Sequence, residues 1–355
     1  MSTEMNTDYS PSWFTRFTSI VDNLRLPFWL FYLLLAFLLS LAAIFVWVIG
    51  TSIPGGKIEP IVFVTMGTIS YALFFMHYLD RAALDLLFDI KKILKPEIAD
   101  RYDLEKLLSV LPRKTTNLVT AAFLLIIPGG FLLGFLTGVG TGSEVPVPGG
   151  LFGLFAFVFF ALLWSVNGTL VYHTWRQLRV VRFMLSNLVE IHPFHQKELF
   201  AFSRFTARTA ILLVISNPLW VIFDPGPSSL IISSAFTVLA LVVFIWPLIG
   251  THRKLVNEKD SMLDSNSRQM ETIIDSIEKT IAAKSNTPIT QLSEQLSALE
   301  MARTRIEKIS TWPWKFETLR QLTVAVIIPL VVWLFQTTYL KSYRKESICE
   351  WRTQE

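Results

Sequence analysis

Five histidines are the side chains of this 355-residue chain whose type and placement most readily suggest chemistry near neutral pH. Two of them, His192 and His195, sit three apart in "IHPFHQKE". The other three, His77, His173 and His252, stand in "FFMHYLDR", "LVYHTWRQ" and "LIGTHRKL", each where an apolar run gives way to basic residues. Imidazole is the commonest metal ligand, so three rings converging at one depth would make a candidate metal centre. Against that, histidine beside Tyr, Trp and Arg suits a membrane interface, where an amphipathic ring keeps one edge wet. Zinc usually adds a thiolate or carboxylate, and a catalytic ring needs acids behind it. Asp80, Glu190 and Glu198 are near in sequence only. Pro193 breaks the helix between the paired rings, so "IHPFHQKE" reads as a turn. No Ser/His/Asp or Cys/His arrangement is legible, so no catalytic or cofactor-binding residue is assigned and no cofactor is expected.

The elements that must place these rings are apolar helices. Hydrophobic residues make up 52% of the chain and charged residues 17%, where soluble domains carry roughly a quarter charged. The charge is missing in blocks of about twenty residues, the length that crosses a hydrocarbon core of roughly 30 Å. The chain reads as all-α: a polytopic membrane protein with about seven transmembrane helices, roughly 27–49, 59–79, 116–138, 151–173, 208–224, 229–250 and 320–340. The first block begins near Pro27 and reads as a retained anchor, since the polar stretch before it lacks a cleavable leader's layout. "SNP" at 216–218 predicts a kink in span five, and Pro329 sits at the centre of span seven. Cys349 is the single cysteine, which excludes a disulfide framework and a thiolate zinc site within these residues.

Lys and Arg set the orientation. Segment 80–115 carries eight of them and 174–208 carries six, whereas 51–58 has only Lys57 and both 139–150 and 225–228 have none. The bias places the tail 1–26, the extensions of the 27–250 bundle at 80–115 and 174–207, and segment 251–311 in the cytoplasm of a cell-membrane protein. A full crossing of span seven puts the tail 341–355 outside, against its own Lys341, Arg344, Lys345 and Arg352. A re-entrant or surface-lying 320–340 is the alternative.

Span two continues without a breaker to Pro96, predicting one helix over about 60–95, roughly 54 Å long. Span four runs unbroken to about residue 191 in the same way. The layouts from Tyr78 to Pro128 and from Tyr172 to Pro218 are parallel, which suggests a degenerate two-span repeat of about 90 residues. After span six, Met262, Met270, Ile273, Ile277 and Ile281 share a face. Thr287 and Pro288 then open a second helix, where Ile289, Leu292, Leu296, Leu299 and Ile306 form a heptad seam. Residues 251–311 therefore read as an antiparallel, coiled-coil-like hairpin.

Gly130, Gly134, Gly138 and Gly142 lie four apart, and Gly149 and Gly153 open span four. Small residues at this spacing let helices approach closely in lipid, between spans or between subunits. "NGT" at 167–169 sits mid-span, so Asn167 reads as a contact inside the bundle rather than a glycan acceptor. No Asp, Glu, Lys or Arg stands mid-membrane, which argues against a pump with a carboxylate relay. Residues 312–340 comprise an interfacial elbow, Trp312, Pro313 and Trp314, and the seventh helix.

Three functions remain open. The first is a non-enzymatic scaffold or sensor in the lipid bilayer, whose cytoplasmic layer binds partners or further copies through 252–309. The second is an oligomeric ion channel or transporter with the last helix lining the pore. Its layout is similar to that of insect odorant and gustatory receptor channels, in layout alone, since no motif of that family is present. On that reading Thr323, Gln336 and Thr337 face the pore. The third is a metal-dependent membrane enzyme built on the histidines. Nothing points to nucleic acid.

Overall fold

The structure, a computed structural model, describes residues 10–50, 61–95, 102–137, 150–189, 196–216, 227–282 and 289–328, with 330, 331, 334 and 335 beyond. It is all-helical, with no strand among the described residues beyond two isolated bridges. The helices are α1 (Trp13–Asn23), α2 (Phe28–Gly50), α3 (Ile61–Ile90), α4 (Leu104–Ser109), α5 (Arg113–Ile126), α6 (Pro128–Thr137), α7 (Gly150–Phe183), α8 (Gln196–Ile215), α9 (Pro227–Ile245), α10 (Ile249–Ala282) and α11 (Ile289–Glu307). A further helical stretch, α12, covers 316–328.

Among the described residues, three helices are long and apolar enough to cross a membrane: Phe28–Val46, Gly153–Leu188 and Ser233–Ala282. They fall on three of the seven expected spans, so seven crossings are not established. Expected spans 59–79, 208–224 and 320–340 lie only partly within the described residues. Expected span 116–138 is divided at Ile127, because Pro128 has no N–H to continue the ladder. That leaves α5 and α6 with 14 and 10 residues. In α8 the first part carries Lys197, Glu198, Arg204 and Arg208, so its apolar run begins only at Ala210. The stretch α12 is continuous only to residue 328 among the described residues.

The long helices α3 and α7 form the centre. They contact each other, and each contacts α2, α4 and α8. The pair runs parallel, since Asp80 meets His173 and further along both helices Leu94 bridges Val189. Both end in turns that depart from α geometry. A 3₁₀ turn at Lys91–Ile93 finishes α3, and a π turn at Met184–Leu188 finishes α7. The Lys95 N–H then donates to the Leu188 carbonyl at 2.8 Å. The N-terminal helix is fastened at the same level. The Ser12 N–H donates to the Leu111 carbonyl, and the Ser12 hydroxyl caps α1 by accepting from the Thr15 N–H.

Burial is unevenly distributed. Past the apolar runs, Leu79, Ala83, Leu86 and Ile90 of α3 share a buried cluster with Leu107 and Leu108 of α4 and Val181, Met184 and Leu188 of α7. The apolar runs themselves leave large side chains outside, including Leu33, Phe37, Leu41 and Phe45 of α2 and Ile231, Val238 and Val242 of α9. Apolar surface on this scale marks contact with lipid or with other chains.

A close approach of α5 to α7 is made at Gly168. A Cβ built on Gly168 would stand 2.5 Å from the Phe123 ring and 2.8 Å from its Cβ. Beside it the Thr120 and Thr169 hydroxyls share a hydrogen bond of 2.9 Å. Gly130 is exposed with nothing within 4 Å of its Cβ position. Gly134 lies in α6 and Gly153 in α7, while Gly138, Gly142 and Gly149 lie outside the described residues. Replacing Gly by Ala in an open helix gains about 1 kcal/mol, but overpacking a fitted contact costs about 1–3 kcal/mol. Gly168→Ala should therefore lower the thermal midpoint in detergent, whereas Gly250→Ala, with nothing within 4 Å, should hold or raise it. A gain from both substitutions would refute the close approach.

Candidate functional site

The histidines expected at the helix exits lie in three separate settings. His77 of α3 stands between Tyr32 of α2 and Asp22 of α1. Its Nδ1 is 3.0 Å from the Tyr32 hydroxyl and its Nε2 3.1 Å from Asp22 Oδ1. A neutral ring satisfies both contacts, with Nε2–H donating to the carboxylate and the phenol donating to Nδ1. Arg81 also pairs with Asp22 and lies over the Phe28 ring, 4.2 Å from its centroid.

His173 of α7 is buried, with its Nε2 2.8 Å from Asp80 Oδ1. Gln177, one helical turn further, donates to the same Asp80 oxygen at 2.9 Å and to the Leu108 carbonyl at 3.0 Å. Phe14 of α1 closes over the His173 ring edge-on, with centroids 5.7 Å apart. Asp80 thus joins α3 to α7 directly, and Gln177 extends the connection to α4. Inside this cluster His173 Nδ1 and Gln177 Oε1 are buried without a hydrogen-bond partner among the described residues.

Asp80 sits just past the apolar run of α3. Burial pushes its carboxyl above the ordinary range, and the His173 ring beside it pulls back the other way.

His252 belongs to a different construction. Its Nδ1 is 3.0 Å from the Thr311 carbonyl, which requires a donated N–H. Its ring stacks on Trp312 at 3.8 Å, Trp312 stacks on Trp314 at 4.2 Å, and Trp314 meets Phe244 at 5.4 Å. Pro313 is buried in this elbow. Lys259 donates to the carbonyls of Glu307 and Ile309, closing the end of α11. Together with Asn266, which donates to the Leu299 carbonyl, these contacts set α10 and α11 antiparallel.

His77, His173 and His252 therefore do not converge on one point. No group of three or more His, Cys, Asp or Glu side chains that could hold a metal occurs among the described residues. His192, His195, Gln336 and Thr337 lie outside the described residues, and Thr323 is exposed. Sequence reasoning missed Asp22, Tyr32 and Gln177 as partners and left Asp80 unpaired. One signal was present: Asp80 follows His77 by three residues, on the same helix face. Asn167, expected to contact the bundle, donates to the Leu163 carbonyl of its own helix.

No family model matches the chain, and neither a curated protein nor a solved structure matches it.

Two outcomes follow from the Asp80–His173 pair. Removing one partner of a buried pair costs about 3–5 kcal/mol, so His173→Leu should lower the thermal midpoint well beyond His77→Phe, whose partner Asp22 is half-exposed. The folded chain also holds the Asp80 proton at pH values where the unfolded chain has released it. This contribution is full below about pH 4, the ordinary carboxyl range, and is lost as pH rises through the raised value. Asp80→Asn should flatten that decline in thermal melts run across pH, and an unchanged slope would count against a titrating Asp80.

Proposed function

We propose that this chain is a multi-pass membrane protein that acts by docking rather than by catalysis, with a rigid inner layer and the α10–α11 hairpin as its platform. The observation that carries this reading is the hairpin surface. Ile274, Ile281, Ile289 and Met301 are large apolar side chains left exposed on two helices that are otherwise rich in charge. Isolated exposed apolar residues are ordinary, but four on one slender hairpin favour a bound surface. The histidine–carboxylate network supports the same reading, because its bonds run between helices and tie the platform's base together. On this proposal the hairpin is cytoplasmic, the helices make seven crossings, and the tail after 340 lies outside.

A second reading, an oligomeric channel or transporter, is favoured by α12. Thr323, Val324, Ile327 and Ile328 are exposed along it. An apolar helix with a hydroxyl on its open side suits the wall of a pore formed by several copies.

The oligomeric mass in mild detergent separates the two. A ring of copies with α12 at its axis supports conduction, and a monomer removes it. Paired substitutions Ile281→Glu and Met301→Glu should reduce oligomeric mass or strip crosslinked neighbours from the chain in its native membrane. If neither changes, docking through the hairpin is wrong. Labelling Cys349 in sealed cells with a membrane-impermeant thiol reagent tests the side of the tail: labelling is expected, and protection until lysis would reverse it.

A further inference from the structure

We infer that the groove between α8 and α12 is a binding site for a phospholipid with an anionic headgroup, with Arg320 holding the phosphate and the acyl chain lying between the two helices. The inference rests on the membrane reading above. The groove has a volume of about 400 Å³ and is lined by Ile211, Val214 and Ile215 of α8 and by Arg320, Val324 and Ile328 of α12, together with Gln321 and Ala325. That exceeds twice the roughly 150 Å³ apolar cavity that holds benzene in an engineered protein. Each wall is built from residues three and four apart, so two helix faces look at each other without closing.

The α12 helix is anchored by a different face. Thr318 and Leu322 are buried, and Leu319 and Val326 pack on the core. The open face is therefore not a frayed helix but the second side of one already docked.

Charge and depth select the occupant. Lys315, just before α12, lies over Phe200 near the start of α8, so the two helices begin on the same side. Arg208 of α8 pairs with Asp85, and Ile211, the first groove residue of α8, stands one turn beyond it. Arg320 thus sits where the charged part of α8 gives way to its apolar run, the level of lipid headgroups. Among the described residues it forms no ion pair, not even with Glu317 three residues earlier, and no acidic residue lines the groove. A basic side chain at the inner end of an apolar slot between helices is the arrangement that takes an anionic headgroup.

The test is native mass spectrometry of the full-length chain, purified in detergent and titrated with dioleoyl phosphatidylglycerol, dioleoyl phosphatidylcholine or inorganic phosphate. One basic contact at the interface corresponds to about a fivefold preference. Phosphatidylglycerol should bind about fivefold more tightly than phosphatidylcholine. Arg320→Gln should abolish that preference while Arg320→Lys keeps it. Val324→Trp, which fills the slot, should remove lipid altogether. Equal binding of the two lipids, or a preference that survives Arg320→Gln, overturns the proposal. So does displacement by inorganic phosphate with no effect of Val324→Trp, which would mark a free-anion site. If the unsubstituted chain binds no lipid, a changed oligomeric mass in Val324→Trp would give the groove to a second copy. If the unsubstituted chain binds no lipid and Val324→Trp leaves the mass unchanged, the groove belongs to another segment of this chain. Should Val324→Trp fail to fold, the exposed Arg320 substitutions alone decide. Failure here leaves the membrane reading standing, because that reading rests on the apolar helices and not on what fills this groove.

Discussion

A carboxyl group buried between two long helices is the constraint on which the rest of this structure depends. Asp80 can stay out of water only if something receives its charge or its proton. His173 does so from α7, and Gln177 adds a second donor from the next turn. That requirement fixes the depth of α3 against α7. With their depth fixed, both helices run out together and end level, so that Leu94 and Val189 can bridge. Gln177 also reaches the Leu108 carbonyl, which seats α4 on the same layer. The base of α10 then rests there too, with Lys254 donating to the Ser186 carbonyl in the π turn of α7.

The distribution of apolar burial has a related logic. In a bilayer, a leucine gains little by leaving lipid for a neighbouring helix, so packing there relies on shape and close approach. The apolar runs of α2 and α9 accordingly face outward, and α5 nears α7 through Gly168. On the proposed membrane reading, water returns past those runs and the ordinary hydrophobic effect operates. That is where Leu79, Leu86, Leu107, Val181 and Leu188 are buried together. Folding cohesion and the buried polar network therefore occupy the same layer.

Periodicity and breakers made much of this legible. The unbroken extensions of α3 and α7, the antiparallel pairing of α10 with α11 and the Trp312–Trp314 elbow all follow local patterns that a single sequence carries. The division of α5 from α6 at Pro128 was less legible, because apolar length alone does not register it. The pairing of His77 with Asp22 and of His173 with Asp80 joins residues far apart along the chain, and no spacing encodes such a meeting. The glycine at the tightest contact was hidden for a different reason: Gly168 stands alone within "NGT", without the four-residue repetition that drew attention to Gly130 and its successors.

The ring stack at the elbow has a mechanical consequence. Planar rings in face contact, His252 on Trp312 and Trp312 on Trp314, resist being pressed together but slide past one another with little opposition. A load carried by the hairpin along the stack axis would be transmitted stiffly to Phe244 and the end of α9. A load across it would meet chiefly the hydrogen bond from His252 to Thr311 and the two from Lys259. The stack thus resists compression and yields in shear, with its soft direction lying in the plane of the indoles.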